Sequence, residues 1–263
     1  MDLGLRDKVA IVGGASRGLG YASAEALARE GAKLVVWARR NPALAEAAAR
    51  LAGAHGVEVV PVLGDVREAA DQEKVVAATL ERFGRVDILV NNDGAPPIGR
   101  LMDFDDAAWE KALRQNLTSV VRLVRLAVPS MRARGWGRIV NITAISVKAP
   151  IAGFGLSVAS WAALVGFSKT LSRELGSDGI TVNTICPGRI DTDLLKRSLK
   201  AQAEVEGRAV EAVLEEARSR IPLGRLGRPA EIGAVVAFLA SEQASYLTGT
   251  TLQVDGGSLE SLL

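Results

Sequence analysis

The sequence predicts an α/β protein built as one doubly wound parallel sheet of about seven strands, with helices on both faces. Short β-branched runs alternate with longer Ala/Leu/Glu/Arg stretches of helical period along the 263 residues. That alternation gives parallel strands joined by right-handed crossovers. The runs are apolar throughout rather than at every second residue, as strands covered on both faces require. No linker or shift of composition interrupts the pattern, so a single domain over 1–263 is expected.

The elements follow in order. The β-branched runs place strands at 9–12, 33–37, 57–61, 88–90, 138–142, 181–186 and 251–254. The stretches between them place helices at 19–30, 42–54, 68–83, 106–134, 158–175 and 229–239. One stretch breaks the rhythm: 191–228 is charged, Ala-rich and helical, and no strand follows it before Pro222-Leu-Gly-Arg-Leu-Gly-Arg-Pro229. It reads either as a solvated surface helix or as a helical lid, because insertions in such folds gather at the ligand end of the sheet. Leu194, Leu195, Leu199 and Val205 are its expected inward face, which implies a moderately apolar small-molecule substrate.

Composition narrows the class of function. Apolar residues make up 48% and charged residues 24%, ordinary for a globular core. Net charge is +2 with both signs interspersed, which argues against nucleic-acid or membrane partners. The single cysteine, Cys186, forms no internal disulfide and fits a reducing compartment. The start, Met-Asp-Leu-Gly-Leu-Arg-Asp, has no apolar secretory run, so a cytoplasmic location is expected. The sole histidine, His55, has no partner that would make a metal site, and none is expected.

The first strand runs into Gly13-Gly14-Ala15-Ser16-Arg17-Gly18-Leu19-Gly20 and then a helix. Glycines here let the backbone turn tightly and approach a pyrophosphate, which the helix N-terminus then attracts. The same order of motifs continues with Gly64-Asp65-Val66, Asn91-Asn92-Asp93-Gly94, Asn116, Pro187-Gly188, Ile190, Thr192 and Val254-Asp-Gly-Gly. Over nearly the whole chain these resemble the short-chain dehydrogenase/reductase family, in particular its 3-oxoacyl reductases. The resemblance implies a Rossmann-type fold and a nicotinamide cofactor. It also implies roles: Asp65 at the adenine, Asn92 and Gly94 along the cofactor, Pro187, Gly188, Ile190 and Thr192 at the carboxamide, and Asn116 on a catalytic water. Two departures stand out, Gly13 where the family has Thr and Asp93 where it has Ala. The end of the second strand selects the cofactor. Ala38 takes the place of the acid that binds a ribose diol, and Arg39, Arg40 and Arg17 lie near it, a set suited to a 2′-phosphate. NADP(H) is expected.

The proton machinery of the resemblance is altered. The family uses Ser, Tyr and Lys, with Tyr giving the proton, Lys lowering its pKa and Ser holding the carbonyl. Gly166-Phe-Ser-Lys fixes the register and puts Ser157 at the Tyr position, Trp161 at the Lys position and Ala144 at the Ser position. Three readings stay open. An imine or otherwise activated double bond needs no proton at hydride transfer. Trp161 would then supply a cation–π face and Asp93 a balancing charge, with Ser146 nearby. Alternatively, a ketone or 3-oxoacyl group is reduced through Ser157 and water held by Asn116. In the third reading the chain binds the dinucleotide without turnover. The resemblance further implies a homo-oligomer, dimer or tetramer, paired through 106–134 and 158–175.

Overall fold

The computed structural model describes residues 2–39 and 42–260. Among these, β1 (Val9–Gly13), β2 (Lys33–Ala38), β3 (Val59–Leu63), β4 (Ile88–Asn91), β5 (Gly137–Ile142), β6 (Ile180–Pro187) and β7 (Thr251–Val254) form one sheet. Every neighbouring pair is parallel, and the order is β3-β2-β1-β4-β5-β6-β7. Successive side chains of the inner strands feed opposite faces. Ala10, Val12, Leu34 and Val36 enter a core with Leu27 of α1 (Gly18–Arg29) and Ile232 and Val236. Ile11, Val35 and Trp37 enter the other core with Val75, Val124 and Leu164. Both sets are apolar, which is why the strands read as unbroken apolar runs.

Helices α2 (Ala43–His55), α3 (Ala69–Phe83), α4 (Asp106–Leu113), α5 (Ser119–Arg132), α6 (Gly155–Glu174), α7 (Asp193–Glu206), α8 (Val210–Ser219) and α9 (Pro229–Leu239) complete the layers. Helix α9 lies very close to α1: a Cβ on Gly233 would stand 2.3 Å from the Ala22 carbonyl oxygen. No helix among the described residues is long and apolar enough to cross a membrane.

Four elements differ from the sequence expectation by more than one residue at an end. Strand β3 starts at Val59 rather than Val57 and takes in Pro61, which an edge strand tolerates because one side makes no ladder bonds. The long helix expected at 106–134 is α4 and α5 joined by a π turn, Arg114–Thr118. Helix α6 begins at Gly155, ahead of residue 158. The irregular stretch after β6 is a hairpin of two helices, α7 and α8, turned at Gly207 with φ +62. Leu199, Ala203, Val213 and Ala217 form a small core inside that hairpin, with Leu195 packed on it. Leu195 and Leu199 therefore serve the hairpin itself. Leu194 is the apolar residue that reaches the cleft described below. The side chain of Val205 lies outside the described residues.

The chain leaves β3 at one edge and returns at β4, on the far side of β1. Such a reversal opens a crevice at the carboxyl ends of the strands, and that is where the site lies.

Candidate active site

A cleft of ≈ 540 Å³ runs over the ends of β1, β2 and β4, bounded on its far side by the start of α7. It gathers Gly14, Ser16, Arg17, Gly18, Leu19, Ala38, Arg39, Val66, Asn92, Asp93, Gly94 and Thr192 from the set named on sequence grounds. Gly20 stands just inside the wall: a Cβ there would be 2.4 Å from the Gly14 carbonyl oxygen, closing the turn. Gly14 has φ +60, and a Cβ on it would meet the Asn92 side-chain Nδ2 at 2.6 Å and the Asn92 carbonyl oxygen at 3.0 Å. The turn thus exists only with glycine at these places. Helix α1 begins on Arg17 with no side-chain cap and no acid in its first turn, so its first amides and dipole remain available to an anion. A dinucleotide phosphate fits this cradle.

Asp65, Pro187, Gly188 and Ile190, also named on sequence grounds, do not line the cleft. The Asp65 carboxylate is forked by Arg67, with 2.9 Å between Nε and Oδ1, and this pairing holds it below the usual carboxylate range. Gly188 packs on the end of β7, where a Cβ would stand 2.7 Å from the Asp255 Cα. Pro187 is buried, and Ile190 forms a parallel bridge with Gly227. Thr192 lines the cleft and also caps α7, its Oγ1 accepting from the Leu195 amide at 3.3 Å. Arg40 lies outside the described residues.

Sequence reasoning gave 191–228 as a lid and named Thr192 and Leu194 in it, but not the charged residues of the other wall. Asp191, Asp193, Arg197 and Pro229 line it, and Asp193 reaches across to Arg17 at 3.8 Å. Thr192-Asp193 at a helix start was the available signal: a cap followed by an acid in the first turn.

Beyond the cleft, β5 ends in a short 3-10 turn, Ile145–Val147, that packs on α6. Ser146 and Ser157 are 1% and 0% exposed, and neither hydroxyl has a hydrogen-bond partner. Asn116, in the π turn, is 4% exposed and donates through Nδ2 to Ser160 Oγ at 2.8 Å. Ser160 Oγ in turn donates to the Leu156 carbonyl at 2.7 Å, so this chain pins the π turn to the first turns of α6. Ser160 was missed from sequence, where it reads as one more small helix residue.

A loop closes this end of the site. Gly99 N donates to the Gly153 carbonyl at 2.9 Å, and Leu101 sits so near Gly155 that a Cβ there would lie 2.3 Å from it. Trp161 is 8% exposed and packs in the core with Ala144 at its edge. Its indole borders a narrow cavity beneath the cleft rather than the cleft itself. Asp93 lines both spaces. Burial, the largest influence, pushes its carboxyl above the usual range, opposed by the Gly94 amide and Arg39. Its other charged neighbours are Asp65 and Arg67, so it sits toward the end of the cleft where Ala38 and Arg39 lie.

A seven-stranded parallel sheet with an anion-ready glycine turn at its switch point defines a dinucleotide-binding oxidoreductase scaffold. Residues 14–258 match the family model described as enoyl-(acyl carrier protein) reductase. The chain is 39% identical over 250 residues to the 3-oxoacyl-[acyl-carrier-protein] reductase FabG of Escherichia coli (strain K12), covering 95% of this chain and 96% of that protein. It is 37% identical over 255 residues to dehydrogenase/reductase SDR family member 4 of Oryctolagus cuniculus, covering 97% and 94%. The crystal structure of L-sorbose reductase from Gluconobacter frateurii, complexed with NADPH and L-sorbose, superposes with a TM-score of 0.96 at 37% identity over 100% of both chains. The chain belongs to the short-chain dehydrogenase/reductase family.

Proposed function

We propose that this protein is an NADP(H)-dependent reductase of a ketone or 3-oxoacyl group, working through a centre in which Ala144, Ser157 and Trp161 hold the positions of the family's Ser, Tyr and Lys. NADPH, when bound, supplies the hydride. The cradle around Gly14 and Gly20 would hold the pyrophosphate, and Arg17 and Arg39 would hold the 2′-phosphate. Two of the relatives above carry carbonyl-reductase names, the 3-oxoacyl-[acyl-carrier-protein] reductase at 39% identity and L-sorbose reductase at 37%.

The observation that carries the reading is the pair of buried, unpartnered hydroxyls, Ser146 and Ser157. Native interiors leave few polar groups unpaired, and those that remain ask for a missing partner. A substrate oxygen placed between β5 and α6 provides one. Both hydroxyls then donate to the oxygen as it gains charge, which is stabilisation aimed at the transition state. A serine is too weak an acid to protonate an alkoxide by itself, so the proton comes from water. Leu101 and the Gly99–Gly153 contact must move aside for the substrate to enter.

The imine reading has lost its supports. Trp161 faces the lower cavity and the core, which leaves no aromatic platform in the cofactor cleft, and Asp93 keeps company with Arg39 and Arg67 rather than with the centre. The test is a panel of ketones, 3-oxoacyl thioesters and cyclic imines with NADPH. Carbonyl turnover is expected, with Ser157→Ala lowering kcat roughly 10–100-fold, the worth of one or two hydrogen bonds in a dry site. NADPH affinity should stay unchanged. Turnover of imines alone, or tight NADPH binding with no turnover of any compound, would refute the proposal.

A further inference from the structure

The α7–α8 hairpin stands nearly apart from the sheet. Its core of Leu199, Ala203, Val213 and Ala217 is its own, and α7 packs chiefly on α8. Backbone bonds hold its base: the Asp191 amide donates to the Gly227 carbonyl at 2.8 Å, and the Gly227 amide to the Arg189 carbonyl at 3.0 Å. Above that base, among the described residues, the ion pairs and hydrogen bonds of 193–220 stay within 191–221, with one exception. Asp193 Oδ2 lies 3.8 Å from Arg17 Nη1, across the cleft. A rigid hairpin on a narrow base is thus tied to the body by one ion pair.

That pair involves a residue assigned above to the cofactor. Arg17 shares the cleft with Arg39 and with Arg197 of α7, and neither of the latter makes an ion pair among the described residues. Asp191, the neighbouring acid on the same wall, is taken by Lys196 at 3.0 Å. Asp193 is therefore the acid of that wall that competes for a cofactor-binding guanidinium. The competition is easily lost. The two side chains are 48% and 65% exposed, and an exposed pair of this kind contributes little. A phosphate monoester carries nearly two charges and three acceptor oxygens, so it takes the guanidinium from a single carboxylate. Asp193 then has another partner on its own helix. Arg197 lies four residues on and lines the same cleft, with the acid N-terminal to the base, the favourable order for such a pair.

We propose that Asp193 is a specificity-determining residue: it latches the hairpin to Arg17 when no 2′-phosphate is bound, and passes to Arg197 when that phosphate takes Arg17. The inference rests on the reading of Arg17 as a 2′-phosphate ligand given above. NADPH undoes the latch. NADH presents a ribose diol at that place, with no anion to displace the carboxylate, and leaves the latch closed. The hairpin that carries Leu194 into the cleft is then released over the phosphorylated cofactor alone. Asp193 acts through Arg17, which makes it a positioning residue and not a catalytic one.

The test is a double-mutant cycle on the full-length protein, with NADPH and NADH each titrated by fluorescence at low ionic strength, where an exposed pair is least screened. Asp193→Asn removes the competitor and should tighten NADPH about 2–5-fold, the worth of one exposed ion pair, with NADH unchanged. Asp193→Glu keeps the charge and should stay near wild type. Arg17→Gln should weaken NADPH, and adding Asp193→Asn to it should change nothing further, because no guanidinium is left to withhold. A role confined to the start of α7 would shift both cofactors alike and would persist in the Arg17→Gln background. An unchanged NADPH affinity in Asp193→Asn, an equal gain for NADH, or a gain that survives Arg17→Gln overturns the latch. If wild type still prefers NADPH in those cases, the 2′-phosphate reading stands without it. A wild type that binds the two cofactors equally removes that reading and the latch together.

Discussion

Ala38 and Arg39 show how much a single position decides. Where β2 ends, an acid would repel a 2′-phosphate and bond a ribose diol, whereas Ala38 leaves room and Arg39 lines the same wall. A charge-assisted hydrogen bond contributes about 1.5–3 kcal/mol. Arg39→Glu is therefore expected to raise the Kd for NADPH roughly 100-fold while leaving NADH within a few-fold, measured by fluorescence titration of both cofactors. Equal losses for the two would show that Arg39 does not read the phosphate. That Gly14, Arg17, Ala38 and Arg39 would share one cleft was legible in the sequence, because a glycine turn and a strand end meet there in that order. Asp65 was less so. Its place in the motif was clear, but its pairing with Arg67 depends on a side chain two residues on, folding back around the turn.

At the level of elements, strands and most helices were readable because burial on both faces writes a continuous apolar run. The exceptions have physical causes. A π turn leaves the apolar periodicity nearly intact, so α4 and α5 read as one helix, and the added residue that presents Asn116 was invisible. The α7–α8 hairpin keeps its own small core, so its leucines looked like a face turned toward substrate. The segment leading out of that hairpin is anchored at the start of α9. There Glu231 accepts from the Arg228 amide at 2.7 Å and forks with Arg225 at 2.7 and 2.9 Å. The Arg225 hydrogen bonds, then the Arg228 amide, pull the Glu231 pKa down to about 2. Because its folded pKa is depressed, the stabilisation is complete above the unfolded value of about 4.3 and fades as pH falls toward 2. Glu231→Gln should lower the Tm by a few degrees at pH 7, in keeping with about 1 kcal/mol for a helix cap. The gap between the two proteins should close in melts taken at successively lower pH. A gap that persists to pH 2 would mean that the glutamate acts by packing rather than by charge.

Across the whole molecule, the centre proposed at Ala144, Ser157 and Trp161 is built into the sheet core, and this limits what can be exchanged there. In the sequence Ala144, Ser157 and Trp161 stand as three separate residues, so placing Ser, Tyr and Lys there looks like a simple exchange. In the fold, Trp161 is 8% exposed and packs in the core that holds Ile139, Leu164 and Val182, while Ser157 is fully buried. A tyrosine at 157 has no room at a fully buried position, and overpacking a core costs about 1–3 kcal/mol. A lysine at 161 places an ammonium group where an indole filled apolar space, which costs several kcal/mol unless a carboxylate meets it. The two replacements share one layer, so their costs are not expected to add independently. Trp161→Lys should therefore lose about 3 kcal/mol in urea unfolding. Trp161→Phe, which keeps the apolar fill, should lose distinctly less. The combined variant Ala144→Ser, Ser157→Tyr, Trp161→Lys should differ from the sum of its parts by more than 0.5 kcal/mol. Additive losses, or a Trp161→Lys protein as stable as the parent, would show that the centre is three separate substitutions on a fold that has not adjusted to them.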